Sequence, residues 1–275
     1  MKKWLKRLIL YPLMLLLFFI SLLLLIKRDF YYNLKGIYGS QLQWFGYEEK
    51  GNRIIESALH NTKKVSAEDY HGYSVQNTKN GNYDESIYYL EKAIQLDPKD
   101  GDGYYGWVLL YYYRDYKKAL FHLNRFSDSK SFAGYVGDDN IFYAIGLCHK
   151  QMKDYEQALV YFIKAIEYEL KTHSEAWVTT QMYFQTGRTL QLLNQQKESL
   201  AYYDKAINRW DGSSESFYYK GLAEIELGIK TGCQNLKIAL KKVEKGTKSS
   251  DMYVRLFDEI YVGEVRDMIK MKCLN

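Results

Sequence analysis

The chain has 275 residues, 47% of them hydrophobic, which is enough for one or two ordinary domains with a sizeable core. It has only two prolines, and this favours long helices because an interior proline removes a backbone hydrogen bond. Six of the 38 basic residues fall within 1–28, which holds no acid, and the remaining 32 are balanced by 33 acids. That balance argues against a nucleic-acid partner, which usually requires a basic surface.

The first predicted element is a membrane anchor in residues 1–28. Residues 8–26 read LILYPLMLLLFFISLLLLI and carry no charge. As a helix they would cover roughly 28 Å, close to the ~30 Å hydrocarbon core of a bilayer. A cleaved signal peptide is the alternative, but its apolar region would be shorter and followed by a small-residue cleavage site. We therefore predict one uncleaved transmembrane helix over about 8–26.

The charges beside this segment indicate its orientation. Four basic residues precede it, and Lys27, Arg28 and Lys35 follow it. The small positive-inside bias favours a cytoplasmic N-terminus. We therefore expect a single-pass protein of a bacterial inner membrane, with the rest of the chain outside the cytoplasm.

Residues 67–248 repeat one pattern of small and apolar residues. The segments GNYDESIYYLEKAIQLDP (81–98) and KDYEQALVYFIKAIEYEL (153–170) have these residues in the same places. In each repeat, a residue within the predicted first helix is followed 12 residues later, or 11 in one repeat, by a small residue that opens the second helix. The third residue of the pattern lies seven residues after that. Small side chains at such places let two helices approach closely. The five sets are Ser74–Ser86–Ala93, Val108–Ala119–Phe126, Gly146–Ala158–Ala165, Gly187–Ser199–Ala206 and Gly221–Cys233–Leu240.

This pattern resembles the tetratricopeptide-repeat family, whose unit is a helix–turn–helix pair of about 34 residues. The resemblance implies an all-α fold, a right-handed superhelical solenoid, here preceded by the N-terminal transmembrane helix. The second repeat departs most, because its turn is one residue short and Phe126 replaces a small residue. The five repeats are assigned to residues 67–100, 101–127, 139–172, 180–213 and 214–247.

Two further segments flank the array. Residues 29–66 form a juxtamembrane segment, in which a degenerate repeat at 32–65 is an open alternative because Gly39, Gly51 and Ala58 keep the 12 and 7 spacing. Residues 249–275 are predicted as a capping helix, since a solenoid must cover its last apolar surface. The apolar face of that helix would consist of Met252, Leu256, Ile260, Val265 and Ile269.

Two insertions interrupt the array, at residues 128–138 and 173–179. We expect the first to be a loop and the second to lengthen the first helix of the fourth repeat. The acidic stretch Asp138-Asp139-Asn140 begins at the last residue of the first insertion and precedes a predicted helix. It favours a helix N-cap over a cation site, because short acceptor side chains satisfy free amides at helix starts.

No catalytic or cofactor motif is present in the sequence. It lacks phosphate-binding loops, dinucleotide fingerprints and the common hydrolase motifs, and its five histidines are scattered. We therefore predict no enzyme activity, no cofactor, no metal and no small-molecule substrate. An enzyme with an unrecognised site remains an alternative hypothesis.

The resemblance implies that the protein binds other proteins or peptides on a concave face lined by the first helices. Some of these side chains could instead pack between helices. The clamp by which one branch of the family binds acidic C-terminal tails is absent, since its positions hold His71, Val75 and Thr78. The candidate partner-binding residues are His71, Tyr105, Tyr112, Tyr143, Lys150, Phe184, Arg188, Gln191 and Tyr218.

The chain contains three cysteines, and two of them could form a disulfide. Cys233 opens the last second helix and Cys273 ends the capping helix that should fold back over it, while two free thiols are the alternative. Cys148 is expected to pack as a small hydrophobe. Together these features favour a membrane-anchored, non-catalytic scaffold. A regulatory or assembly subunit of a cell-envelope enzyme complex is the alternative.

Overall fold

The computed structural model describes residues 2–62, 65–128, 134–251 and 253–273. Within a few helices it describes the backbone but not the side chains, as in residues 2–14 and 22–27. The chain divides into two bodies, Met1–Gly101 and Asp102–Asn275. We call them the N-terminal body and the C-terminal body.

The N-terminal body consists of helices. Its first helix continues past the predicted anchor and ends at Trp44, where Gly46 takes a left-handed φ of 84°. The capping box of Ser66 and Asp69 begins the third helix, and Gly81 ends it with a φ of 81°. These helices are α1 (Lys2–Trp44), α2 (Glu48–Asn61), α3 (Ala67–Asn80) and α4 (Tyr83–Leu96).

The degenerate repeat left open for residues 32–65 corresponds to a packed helix pair. A Cβ added to Gly39 of α1 would lie 2.9 Å from the carbonyl oxygen of Gly51 in α2, so the two backbones are nearly in contact. Ile55 and Ala58 of α2 are buried in this body. The spacing of small residues therefore has the same physical origin here as in the array.

The predicted membrane span is not identified among the described residues. None of the helices found among them combines the length and the apolar character that crossing a bilayer requires. The side chains of residues 8–14 and 22–26 lie outside the described ones. The anchor therefore remains a prediction.

The C-terminal body contains three regular helix pairs, α7 with α8, α9 with α10, and α11 with α12. Lys153 and Asn194 each adopt a left-handed φ in the turn between two paired helices. Its elements are α5 (Pro98–Val108), a π-helical turn (Leu109–Tyr113), α6 (Tyr116–Ser127), β1 (Tyr135–Val136), β2 (Asp139–Asn140), α7 (Ile141–Gln151), α8 (Tyr155–Thr172), a 3₁₀ turn (Glu175–Trp177), α9 (Thr180–Leu192), α10 (Gln196–Arg209), α11 (Ser214–Glu226), α12 (Gly232–Glu244) and α13 (Val262–Cys273).

The close-packing positions of the second repeat, Gly106 and Ala119, lie 13 residues apart and not 11, so the prediction of a shortened turn is wrong. A Cβ on Gly106 would lie 3.1 Å from the carbonyl oxygen of Ala119, and one on Gly187 would lie 3.2 Å from the matching oxygen in α10. Gly106, not Val108, therefore holds the close-packing position. The π-helical turn Leu109–Tyr113 accommodates the extra residue.

The register predicted for the last repeat is also displaced by one residue. A Cβ on Gly221 would lie 2.8 Å from the carbonyl oxygen of Gly232, and Leu236 and Ala239 are fully buried. The repeat therefore follows Gly221–Gly232–Ala239. Cys233 lies one position outside this helix interface and is half-buried.

Both insertions differ from their predicted form. The described part of the first, from Gly134 onward, enters an antiparallel β1–β2 hairpin. Residues 173–179 do not lengthen α9, because the Thr179 side chain caps it by accepting a hydrogen bond from the Met182 amide. A separate 3₁₀ turn precedes that cap.

The predicted capping helix is present only from Val262 to Cys273. The residues before it, including Leu256 and Ile260, follow an irregular path in which Asp258 adopts a φ of 58°. They do not form a helix because several of their backbone and side-chain groups bind to other helices of the C-terminal body, as described below. Met252 lies outside the described residues.

Candidate functional site

The predicted partner-binding residues do not form an open surface. His71 belongs to the N-terminal body and is half-buried. The other eight belong to the C-terminal body, where Tyr112 and Arg188 are half-buried. The remaining six are buried: Tyr105, Tyr143, Lys150, Phe184, Gln191 and Tyr218.

Several of them stabilise the packing of helices. The ring of Tyr105 lies 4.7 Å from that of His122, and the ring of Phe184 lies 6.2 Å from that of Tyr203. The Tyr203 hydroxyl donates a 2.8 Å hydrogen bond to Gln191 Oε1. These residues therefore pack between helices, which is the alternative to partner binding that the sequence left open.

Lys150 and Arg188 converge on one carboxylate. Lys150 Nζ forms a salt bridge with Asp258, and Arg188 Nε lies 3.3 Å from Asp258 Oδ1. The side chain of Lys150 is 3% exposed and that of Asp258 is 15% exposed, so the group is largely removed from water. Lys150 Nζ also donates to Gln185 Oε1. Two first helices, α7 and α9, thus bind the same residue.

Burial and charge act in opposite directions on this group. Burial lowers the pKa of Lys150, and the nearby Asp258 carboxylate offsets part of that effect. Burial alone would raise the pKa of Asp258, but Lys150 and Arg188 together hold it below its usual value. The favoured state is therefore one carboxylate between two cations.

Phe257, the neighbour of Asp258, is bound by the helices of the second repeat. Its ring lies 5.7 Å from that of Tyr111 and 6.1 Å from that of Tyr116. The Arg114 guanidinium lies 4.3 Å from its centroid, a cation–π geometry. The carbonyl oxygen of Phe257 accepts a 3.4 Å hydrogen bond from Gln185 Nε2.

The same irregular segment extends along α9 and α11. Gln181 Nε2 donates a 2.5 Å hydrogen bond to Ser249 Oγ, and the amide of Ser249 donates to Glu215 Oε2 over 3.3 Å. Burial raises the pKa of Glu215, and the Ser249 amide and Lys248 partly offset the rise. Each contact is a side chain of a first helix holding an extended stretch of backbone or a short side chain.

We call the described residues 248–251 and 253–261 the C-terminal segment. We call the surface that holds it the first-helix groove, formed by Arg114, Lys150, Gln181, Gln185 and Arg188. The prediction identified Lys150 and Arg188 but missed the others. The spacing of Gln181, Gln185 and Arg188, at i, i+4 and i+7, places them on one helix face and could have indicated them.

One pair of cysteines joins the end of helix α13 to the last repeat. Cys233 and Cys273 form a disulfide in the structure, with Cα atoms 5.7 Å apart. Cys233 can reach α13 because it lies outside the interface between α11 and α12. Cys148 is a free, buried cysteine of α7, and burial raises its thiol pKa.

Comparison with known proteins agrees with this architecture. The family model of the tetratricopeptide repeat matches residues 77–100, 140–172 and 180–209, within the first, third and fourth predicted repeats. These three segments are tetratricopeptide repeats. A search of curated proteins finds no match.

Three solved structures show the same kind of fold. PilF of Pseudomonas aeruginosa has a TM-score of 0.61 and 18% identity, over 80% of this chain and 95% of its own. PilW, described as a type IV pilus biogenesis factor, has a TM-score of 0.57 and 13% identity, over 78% and 91%. YrrB, described as a tetratricopeptide-repeat protein with an unusual peptide-binding site, has a TM-score of 0.50 and 20% identity, over 64% and 86%. These likenesses establish the all-helical repeat fold.

Proposed function

We propose that this chain is a non-catalytic scaffold that binds an extended polypeptide along the first-helix groove. The observation that carries the proposal is the C-terminal segment itself. Its Asp258 carboxylate and two backbone groups are bound by side chains of three first helices, α7, α9 and α11, and its Phe257 ring is bound by Arg114, which follows the π-helical turn. A partner segment with an acidic and an aromatic side chain would find the same set of donors and rings.

The relatives give this proposal indirect support. YrrB is described by a peptide-binding site and PilW by a role in pilus biogenesis, so the repeat fold serves binding and assembly in these proteins. A fold shared at such low identity does not carry a partner with it. The assignment to this chain therefore rests on the groove.

Site-specific photo-crosslinking tests the proposal in the full chain. A photoreactive residue at Gln181 lies in the groove, and one at Tyr202 in α10 has similar exposure on a second helix. We expect polypeptide adducts at position 181 and none at 202. The Phe257→Ala change should raise their yield, because it loosens the segment that occupies the groove. Equal adducts at both positions would contradict groove binding.

The stoichiometry of any partner separates a scaffold from an assembly subunit. After gentle detergent extraction, one polypeptide in a fixed ratio would indicate a permanent subunit of a larger complex. Varied partners in low amounts would favour a scaffold. Turnover of a substrate by the purified chain alone would contradict the non-catalytic assignment.

Anchoring by residues 8–26 is the second part of the proposal. Its support is the uncharged sequence and the exposure of successive large apolar side chains from Leu15 to Ile20. Apolar patches of this kind are unfavourable in water and mark membrane or protein contacts. The basic residues on both sides suit lipid headgroups.

Alkaline carbonate washing of membranes tests the anchor. The full chain should stay in the pellet, and a chain beginning near residue 33 should be released. Replacing both Leu16 and Phe19 with Arg should also release it, since a charge at the centre of a span costs roughly 2.5–3.5 kcal/mol on insertion scales. Release of the unaltered chain by carbonate would contradict anchoring.

A further inference from the structure

A cavity opens beside the first-helix groove, within the C-terminal body. It lies among the β1–β2 hairpin, the end of α8, the 3₁₀ turn and the start of α9, and Leu256 and Phe257 form one wall. Its volume is about 380 Å³. Pockets that hold small molecules run from about 300 to 1,000 Å³, so the cavity could hold a small ligand or one long side chain.

Three carboxylates line the cavity, and two of them, Asp139 and Glu169, are held by neutral donors. Trp107 Nε1 lies 3.0 Å from Asp139 Oδ2, and the Tyr111 hydroxyl also binds Asp139. Glu169, which is fully buried, accepts a 2.6 Å hydrogen bond from the Tyr135 hydroxyl and a 2.7 Å bond from Asn140 Nδ2. These donors fix both side chains without neutralising them.

Little positive charge compensates these two groups. The described residues that line the cavity include neither a lysine nor an arginine. The nearest base to Glu169 is His173, whose Nε2 lies 3.9 Å from Glu169 Oε2. Asp138 at the rim adds a further negative charge. Buried carboxylates are costly unless a cation or several donors accompany them, so the electrostatic potential of the cavity favours a positive ligand.

Five aromatic rings are among the lining residues and decide the type of cation. Rings of tyrosine, tryptophan and phenylalanine bind alkylammonium and guanidinium groups through their π faces. Trp177 is the most accessible of them at 55% exposure, and its ring is stacked 4.5 Å from that of His173. A bare metal ion fits less well, because no group of three potential ligands occurs among the described residues. The lining rings are those of Tyr111, Tyr135, Tyr143, Trp177 and Phe257.

We propose that this cavity binds an organic cation, with an alkylammonium or guanidinium head between Asp139 and Glu169 and its alkyl part against the Trp177 and Tyr143 rings. The cation could belong to a free amine or to a lysine or arginine side chain of a polypeptide. The two sources share one chemistry and are separated by the choice of probe. The proposal does not depend on which polypeptide the first-helix groove binds.

Titration of the full, detergent-solubilised chain tests the cavity, with calorimetry and tryptophan fluorescence as readouts. The probes are n-butylammonium, n-butylguanidinium, neutral n-pentanol and the blocked peptide acetyl-Gly-Lys-Gly-amide. We expect saturable binding of the cations, at least tenfold tighter than pentanol. Tighter binding of the peptide would indicate a side-chain ligand, and tighter binding of the free cations would indicate a small molecule. Pentanol binding as tightly as the cations would overturn the proposal.

Three variants locate the bound cation. Glu169→Gln removes a charge at constant size, and Trp177→Leu removes an exposed ring that the fold does not bury. Each should weaken cation binding at least tenfold. Glu175→Gln is the matched control, because Glu175 carries the same charge in the 3₁₀ turn but does not line the cavity. Unchanged affinity in both Trp177→Leu and Glu169→Gln would overturn the assignment, and Trp177→Leu decides alone if Glu169→Gln fails to fold.

Discussion

Asp258 illustrates how one residue can determine the path of a segment. It adopts a left-handed φ of 58°, which few residues other than glycine, asparagine and aspartate tolerate. Its carboxylate lies between Lys150 and Arg188, two cations from different first helices. The ion group offsets the cost of the unusual backbone and holds the segment in the groove.

The first prediction concerns the loss of that carboxylate. Replacing Asp258 with Ala leaves Lys150 buried without its counter-charge, and breaking a buried pair in this way costs about 3 kcal/mol. We expect a matching fall in the free energy of unfolding, measured by denaturant titration. Asp211→Ala is the control, because that side chain is 87% exposed and its pairing with Lys242 is screened by water. Equal stability of the two variants would mean that the segment is not held by this group.

The second prediction uses the pH dependence of Asp139. Burial raises its pKa to about 6 from the usual 3.8, and hydrogen bonds from Tyr111 and Trp107 only partly offset the rise. As the pH rises, this carboxyl loses its proton in the unfolded chain before it does so in the folded chain. Its contribution to the stability of the folded chain is therefore present below about pH 4 and is lost as the pH rises through 6. The Asp139→Asn variant has no ionisable group at this position, so it does not lose stability in this way.

Thermal unfolding at pH 4 and pH 7.5 measures the effect. The melting temperature of Asp139→Asn minus that of the unaltered chain should increase from the lower pH to the higher. Other groups with shifted pKa values, such as Glu215 and Asp258, are common to both proteins and cancel in the difference. A difference that stays constant or decreases would contradict a buried carboxyl at position 139.

Single residues of the site could be predicted only in part. Lys150 and Arg188 lie on first helices in the repeat register, so the sequence indicated them. Asp258 could not be identified, because it lies outside any repeat and its role depends on a fold-back of the chain. The carboxylates of Asp139 and Glu169 belong to β2 and to the end of α8, which meet only in three dimensions.

At the scale of elements, small residues determine which helix faces meet. The helix pairs were predicted correctly because small residues such as Gly146, Ala158 and Ala165 mark the places where two helices can approach each other closely. The prediction failed in the second repeat, because the spacing allows either Gly106 or Val108 at the close-packing position. Only the packing of Gly106 on Leu123 decides between them. The π-helical turn follows from that choice and has no sequence signal of its own.

The third prediction tests this register. A Cβ on Gly106 would lie 2.8 Å from Leu123 Cγ and 3.1 Å from a backbone oxygen, so Gly106→Ala should cost about 1–3 kcal/mol through overpacking. Gly72→Ala is the matched control, since it lies within α3 with nothing in the way. That change should stabilise the chain by roughly 0.5–1 kcal/mol, because alanine is the better helix former. Chemical denaturation of both variants measures the contrast, and equal effects would show that Gly106 does not hold the close-packing position.

At the scale of the whole molecule, the fold class followed from the sequence and the occupancy of the groove did not. Periodic small residues imply an all-helical repeat fold because each helix pair must bury one apolar face on its neighbours. The capping helix was predicted too long, since the apolar residues Leu256 and Ile260 fit a helix pattern equally well. Their partners in the groove, not their own periodicity, decide the irregular path.

The last prediction concerns the link between the end of the chain and the last repeat. A disulfide between Cys233 and Cys273 closes a loop of 40 residues, worth about 4 kcal/mol in the chain-entropy model. Such bonds persist in oxidising compartments, so the bond should be present in cells if the body lies outside the cytoplasm, as predicted from the sequence. Mass spectrometry of alkylated, non-reduced protein from native membranes should therefore find both thiols protected, with Cys148 as the only free thiol. Cys273→Ser should lower the melting temperature under oxidising conditions and should change nothing once the unaltered chain is reduced. Alkylation of both cysteines in the native sample would contradict the bond and the orientation predicted from the sequence.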